Sequence, residues 1–404
     1  MKRLLFWQAS NQLVGQKLLA TGKIRSILIV ATRQIGDVLC TTPLIRRTRE
    51  IWPDAKIDVL GYEKTMGMLA GNPDIQDIIE SSEHPKWPEY KRLFKRIFRR
   101  YDLAIVTQPS DRPHIYGLLA APKRVGIVPA RIEHSWWKNA LSMATISMDG
   151  ASRHVIVDRL RLMSFFSKQN ATPVVTPPGD LPLPSDIGEA LPRAYVVFHA
   201  TPMWQYKRWP VSAWADLAAK VVRAGYDVCL TGSGSEADRS FNVLIEQSVR
   251  GVQGASGPNQ IHNLAGRVTL GQLTPLLNAS QAYVGVDTSV THQAAATGVP
   301  VIALFGPTTP INFGPWPKAF EWDQSCDSPW ARRGKTIPSD AGYSQTLQNV
   351  TILQGPGACV PCMKAGCQDQ NDSPSDCMNL LHPDTVWSLL EPLLRTRTFQ
   401  EVCS

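Results

Sequence analysis

The sequence predicts an α/β protein made of two Rossmann-like, doubly wound domains, and three observations carry that prediction. Short uninterrupted apolar runs alternate with helical stretches along the chain, and strands of that kind belong to parallel sheets covered on both faces. The alternation pauses in a proline-rich stretch from Asn170 to Pro192 and then restarts. Several of the strands end in turns carrying glycine, hydroxyl or carboxylate groups, the place where doubly wound sheets bind their ligands.

Taken in order, Ser26–Val30 reads as a buried strand, followed by a turn at Gly36 and a helix from about Asp37 to Trp52, where Pro53 ends it. Strands follow at Lys56–Leu60, Asp102–Val106 and Arg124–Ile127. The prolines at 173, 177, 178, 182, 184 and 192 make a stiff connector, which predicts the domain boundary near residue 185. The second half offers strands at Tyr195–His199, Asp227–Thr231, Ala282–Val286 and Pro300–Phe305, and a helix over Ser212–Ala224. Residues 311–358 read as a long irregular insertion, and Pro383 to Arg395 as a final helix. The predicted division is therefore 1–185, 186–382 with an insertion over 311–382, and a C-terminal helix over 383–404. A ligand cleft is expected between the carboxyl ends of the two sets of strands.

Composition narrows the class. The 404 residues are 43% hydrophobic and 19% charged, an ordinary globular balance that excludes disorder. That length suits two or three domains at roughly 100–200 residues each. No apolar run approaches the ~18 residues of a membrane span. The basic start Met1-Lys2-Arg3 is interrupted by Gln8, Ser10, Asn11 and Gln12, which spoils a signal-peptide core and predicts a cytoplasmic protein. The formal charge of +8 is unevenly placed: residues 1–190 hold 27 basic and 18 acidic side chains, residues 191–404 hold 15 and 16. Localised charge without a zinc-finger, RRM or helix-turn-helix signature argues against nucleic acid as partner.

Six segments carry candidate chemistry. In Gly285-Val286-Asp287-Thr288-Ser289-Val290-Thr291-His292 a strand ends at a helix start, with Asp287 or Thr288 as N-cap. The free N–H groups of that first turn favour a phosphate, and His292 lies one turn on, on the face of Thr288. The alternative is a routine capped junction with a buried histidine. The run His199-Ala200-Thr201 through Lys207-Arg208-Trp209-Pro210 supplies hydroxyl and cationic groups that suit a diphosphate, or else a solvated basic loop. Gly232-Ser233-Gly234 is an incomplete dinucleotide fingerprint, after which Glu236 either accepts from a ribose or caps the next helix. Asp37 stands at another strand-to-helix turn, either as an ordinary first-turn acid or as a general base.

The fifth is basic. Tyr90, Leu93, Phe94, Ile97, Phe98 and Tyr101 fall on one helical face, with Lys91, Arg92, Lys95, Arg96, Arg99 and Arg100 on the other. Such a helix lies on an anionic membrane surface, packs its apolar face on a sheet, or does both. Cys359, Cys362, Cys367 and Cys377 have spacings that a single structural Zn or Fe ion can gather, the alternative being four reduced thiols packing a loop. An all-sulfur site leaves no open position, so no catalytic metal is expected.

Together these segments resemble glycosyltransferase family 9, the lipopolysaccharide heptosyltransferases, and within it the heptosyltransferase III subgroup. The likeness runs from about Ile27 to Leu390 through Gln34-Ile35-Gly36-Asp37-Val38-Leu39, Thr41-Thr42-Pro43, Leu69-Ala70-Gly71-Asn72-Pro73 and Ser110-Asp111-Arg112. It continues through His199-Ala200-Thr201, Lys207-Arg208-Trp209-Pro210, Asn263-Leu264-Ala265-Gly266, Val286-Asp287-Thr288 with His292, and Phe305-Gly306-Pro307-Thr308. The resemblance implies a GT-B fold with the acceptor domain first. It implies inverting transfer of heptose from ADP-L-glycero-D-manno-heptose to a heptose of the lipopolysaccharide core, with Asp37 as base. Thr201, Lys207, Glu236, Val268, Asp287, Thr288, Ser289 and His292 would hold the donor. Arg112 and the basic helix would face the acceptor or the inner face of the inner membrane, where the protein would sit peripherally. Ala31 stands where many members carry Lys, and Ser289 where the first and second transferases usually carry Gly. A transferase using another nucleotide sugar, or a non-catalytic sugar-nucleotide binder, is the competing expectation.

Overall fold

The computed structural model describes residues 24–402 apart from 132, 134, 149, 151, 168–171, 192–193, 251–260 and 324–325, without the side chains of 396–402. The basic start of the chain, Cys403 and both ends of the proline-rich connector lie outside the described residues. The chain divides into two compact units. The first ends at Thr176 and also takes in Glu321–Ser328; the second holds Pro177–Phe320 and the chain from Pro329 onward. The division thus falls about nine residues before the expected one, and part of the expected insertion belongs to the first unit. Arg153 explains why: its guanidinium bonds Asp327 at 2.6 Å and Asp158 at 3.1 Å, while His154 N–H donates to the Asp327 carbonyl.

The first unit is a six-stranded sheet of β1 (Ser26–Val30), β2 (Lys56–Tyr62), β3 (Asp77–Ser81), β4 (Leu103–Val106), β5 (Lys123–Val128) and β6 (Ala144–Ser147). All pairs are parallel, in the order β3-β2-β1-β4-β5-β6. That is the doubly wound order, and the direction of winding reverses between β1 and β4. Leu28, Val30, Leu60, Ala104 and Tyr116 form its core with Leu93 and Ile97 of the helix Trp87–Ile97.

The expected helix from Asp37 to Trp52 is in fact two, Ile35–Leu39 and Thr42–Ile51. Pro43 has no N–H to give the Leu39 carbonyl, and the Thr42 hydroxyl takes it instead at 2.8 Å. The Thr41 N–H bonds Val38, one residue short of a helical ladder, while the Thr41 hydroxyl bonds the Asp37 carbonyl.

The second unit carries β7 (Tyr195–His199), β8 (Asp227–Thr231), β9 (Ile261–Asn263), β10 (Ala282–Val286), β11 (Val301–Phe305), β12 (Lys335–Thr336), β13 (Tyr343–Leu347) and β14 (Val350–Gln354). Their order is β12-β13-β14-β11-β10-β7-β8-β9. Alternate residues of the central strands enter two different cores: Val196, Phe198 and Val284 face one side, Tyr195, Val197 and Tyr283 the other. Both sides are closed, which is why these strands read as unbroken apolar runs. The insertion expected to be irregular supplies three strands: β14 joins β11 in parallel, and β13 and β12 continue antiparallel. The final helix, Pro383–Val402, packs Val386, Leu390 and Leu394 into the first of these cores and so belongs to the second unit.

Candidate active site

In the second unit the winding reverses between β7 and β10, and the loops leaving those two strands are held together by one ion pair. Lys207 Nζ lies 2.6 Å from Asp287 Oδ2. The Thr308 hydroxyl, beyond β11, donates to the same oxygen at 2.9 Å. Burial alone would push the Asp287 carboxyl up, but Lys207, His292 and the Thr308 hydroxyl outweigh it and hold the carboxyl below the usual range. Burial pulls the Lys207 ammonium down, yet the Asp287 charge more than reverses this and keeps it above the ordinary lysine value. Both groups are therefore charged at neutral pH, beside three loops at the carboxyl ends of their strands.

The features expected to bind an anion lie around this pair. Thr288 occupies the N-cap of the helix Ser289–Thr297, but its hydroxyl accepts no bond from the first turn. It contacts the Thr291 hydroxyl at 3.4 Å instead. His292 is buried on that helix. Thr201, after β7, is buried with its hydroxyl lacking a partner among the described residues. A Cβ at Gly232 would stand 3.2 Å from that hydroxyl, tight enough that Thr201 would have to give by a few tenths of an ångström. An unbonded buried hydroxyl is costly unless a ligand completes it.

The remaining predicted donor residues resolve their alternatives. Ser235 caps the helix Glu236–Arg250 by accepting from Asp238 N–H, and Asp238 returns a bond to Ser233 N–H. Glu236 is therefore not the cap and stays exposed at the first helical position. Val268 packs its side chain against the core, leaving its backbone for any other contact.

In the first unit Asp37 sits in the short helix Ile35–Leu39 that follows β1, at that sheet's own reversal point. Sequence reasoning missed its principal partner, Arg159, which lies in the helix Val155–Arg161. Arg159 donates to the Asp37 carbonyl at 2.7 Å and to Asp37 Oδ1 at 2.8 Å. Arg33 stands 3.6 Å from Oδ2 and is largely exposed. Gln108, beyond β4, also escaped notice; its amide oxygen lies 3.4 Å from the Thr32 hydroxyl across the same reversal point. Arg112 donates to the Glu83 carbonyl and is partly exposed.

The basic helix is shorter than expected. It ends at Ile97, and Arg99 takes a left-handed φ of 51°, so Arg99 and Arg100 follow the helix rather than sit on it. Its apolar face is only half core. Leu93 and Ile97 are buried, whereas Trp87, Phe94 and Phe98 are 70%, 41% and 42% exposed. Phe94 and Phe98 stack on each other with centroids 4.4 Å apart, Lys91 lies over Trp87, and Arg99 lies over Phe98. Lys91, Arg92 and Lys95 are exposed, and Arg96 pairs with Asp77.

The cysteine segment packs against the loops that follow β7 and β11 in its own unit. Gln205 N–H bonds the Asn371 carbonyl, the Ser375 hydroxyl bonds the Tyr206 carbonyl, and Met363 N–H bonds the Pro307 carbonyl. Burial, with Cys362, Cys367 and Cys359 close by, pushes the Cys377 thiol up to about 12. Asp376 N–H points at Cys367 Sγ at 3.3 Å. Four soft donors suit zinc or iron. Among the described residues, however, no three ligating side chains converge to hold a metal ion. The donor chemistry fits the expected ion, whereas the geometry does not close around one.

Two Rossmann-like units, each with polar residues at its reversal point, constitute the GT-B fold of nucleotide-sugar glycosyltransferases. The chain belongs to glycosyltransferase family 9 (heptosyltransferase), whose family model matches residues 90–326, more than half its length. It is a glycosyltransferase. It is 27% identical over 290 residues to lipopolysaccharide heptosyltransferase 3 of Escherichia coli, covering 70% of this chain and 83% of that one. With lipopolysaccharide heptosyltransferase 1 of Pseudomonas aeruginosa the identity is 26% over 312 residues, covering 70% and 79%. Among solved structures, E. coli ADP-heptose lps heptosyltransferase II aligns with a TM-score of 0.67 at 20% identity, covering 92% of this chain and 99% of that one. E. coli heptosyltransferase WaaC with ADP-2-deoxy-2-fluoro heptose gives 0.61 at 17% identity, covering 91% and 99%.

Proposed function

We propose that this protein transfers heptose from ADP-L-glycero-D-manno-heptose to a heptose of the lipopolysaccharide inner core, with inversion. The observation that carries the reading is the Lys207–Asp287 pair, set beside the unbonded Thr201 hydroxyl and the open first turn of the helix Ser289–Thr297. That combination offers cation, hydroxyl and backbone N–H groups to a diphosphate. Relatives of this chain are lipopolysaccharide heptosyltransferases by name, and WaaC has been solved with an ADP-heptose analogue.

In this reading Asp37 removes the proton of the acceptor hydroxyl. The new bond forms from that oxygen to the anomeric carbon while the bond from that carbon to the phosphate oxygen breaks, and ADP leaves with the electron pair. Lys207, with Thr201, Thr288, Ser289 and His292, stabilises the charge that grows on ADP. Glu236 and the backbone of Val268 take the ribose and adenine. The four thiols, which do not converge on an ion as they stand, serve structure by drawing together on zinc or iron in the loop beneath Tyr206 and Pro307.

The protein works peripherally at the cytoplasmic face of the inner membrane. Among the described residues no helix is long and apolar enough to cross a membrane. Trp87, Phe94 and Phe98 enter the interface while Lys91, Arg92 and Lys95, with Arg99, Arg100 and Arg112 nearby, meet anionic headgroups or acceptor phosphates. The deciding assay incubates purified protein with ADP-heptose and truncated lipopolysaccharide and reads product mass. A gain of one heptose supports the proposal. Transfer only from another nucleotide sugar, or no transfer to any core acceptor, overturns it.

A further inference from the structure

Arg159 has a role that the family resemblance did not assign. It is 2% exposed, a severe environment for a guanidinium, and among the described residues its one carboxylate partner is Asp37. Burying an arginine costs several kcal/mol unless a countercharge and hydrogen bonds offset it. The fork meets residue 37 twice, at its backbone carbonyl and at Oδ1, a geometry that a flexible ammonium cannot reproduce.

The local chain is shaped to accept that fork. Because the helix breaks at Cys40–Thr41, the Thr41 N–H turns to Val38 and leaves the Asp37 carbonyl to the Thr41 hydroxyl and Arg159. The helix bearing Asp37 spans only Ile35–Leu39 and has no side-chain cap. Five residues fix a carboxylate poorly by themselves; the buried arginine supplies the fixation. The two carboxylate oxygens are thereby made unequal. Oδ1 is engaged by the buried Arg159, whereas among the described residues Oδ2 has only the exposed Arg33 at 3.6 Å.

We infer that Arg159 is the positioning residue of the reaction: it clamps Asp37 by its carbonyl and Oδ1, so that Oδ2 is the oxygen that takes the acceptor proton. This rests on the general-base reading of Asp37. Proton transfer depends on such placement, and a displacement of about 1 Å can cost ~100-fold in rate.

The test compares Arg159→Lys, Asp37→Asn and the double variant in the full-length protein, with circular dichroism and thermal midpoint as folding controls. Arg159→Gln replaces the lysine variant if that one does not fold. Arg159→Lys should lower kcat by about 10- to 100-fold, leaving ADP affinity and donor KM unchanged. In the Asp37→Asn background the same change should lower kcat no further. Arg159→Ala should regain activity with added guanidinium and less with methylammonium. A kcat for Arg159→Lys within about twofold of the parent, with Asp37→Asn inactive, overturns the clamp and leaves the base standing. Full activity of Asp37→Asn overturns both. An equal loss from Arg159→Lys with and without the Asp37 carboxylate also overturns the clamp, since Arg159 would then act elsewhere.

Discussion

Lys207 and Asp287, eighty residues apart in sequence, meet at 2.6 Å and tie the loops leaving β7 and β10 together at the point where the second sheet reverses its winding. Each partner reverses the effect that burial has on the other. The pair is thus a structural element in its own right.

Lys207→Met should leave Asp287 without its countercharge and destabilise the second unit by about 3 kcal/mol, the usual order for breaking a buried pair. Lys207→Met with Asp287→Asn should be less unstable than Lys207→Met alone, because no bare carboxylate remains. Both should lose affinity for ADP. Urea unfolding and calorimetric titration with ADP check the two parts separately.

Acid should act on His199 well above the carboxylate range. Its Nδ1 donates to the Thr231 hydroxyl, which in turn donates to the Phe198 carbonyl, and burial pulls the imidazole down to about 4. The unfolded chain binds a proton near pH 6.5 that the folded chain refuses. Stability is therefore full above about pH 6.5 and falls by about 3 kcal/mol as pH drops toward 4. His199→Asn should flatten that slope in urea titrations across this range. An unchanged slope would exclude His199 as its source.

Neighbouring residues of the helix Trp87–Ile97 should respond in opposite ways. Ile97→Ala empties a buried site and should cost about 2–5 kcal/mol. Phe94→Ser with Phe98→Ser should change stability by no more than about 0.5 kcal/mol each, yet reduce sedimentation with vesicles rich in phosphatidylglycerol. Lys91→Glu with Lys95→Glu should do the same more strongly at low salt. Retained vesicle binding in all of these would remove the membrane role from this helix.

Metal analysis of protein purified without added metal should find one zinc or iron per chain. Chelation should then lower the thermal midpoint and weaken ADP binding, because the thiol-bearing segment supports the Tyr206 and Pro307 carbonyls. A metal-free preparation with unchanged midpoint and ADP affinity would defeat the assignment.

The central strands were legible because both faces of each are buried, so β1, β4, β7, β10 and β11 read as apolar runs. The edge strands were not. β3 contains Asp77 and Glu80, β9 is Ile261-His262-Asn263, and β12 is Lys335-Thr336; their pairing is set by distant partners, not by their own pattern. The Asp37 and Asp287 turns were legible from strand ends alone. Arg159 was hidden because its pairing spans 122 residues. How far Phe94 and Phe98 stand out from the core was not legible, because helical periodicity gives an apolar direction but not the width of the face that a neighbour covers.

The return of Glu321–Ser328 to the first unit sets an order of events during synthesis. Domains emerging from the ribosome usually fold as units, N-terminal first. Here Arg153 waits for Asp327, which is made only after β7, β8, β10 and β11 of the second unit. A fragment stopped at Thr176 would contain every strand of the first sheet and keep the Arg153–Asp158 pair, yet lack the Asp327 side of that largely buried guanidinium. The two units are consecutive in architecture but interleaved in time, so the first is completed only once most of the second exists.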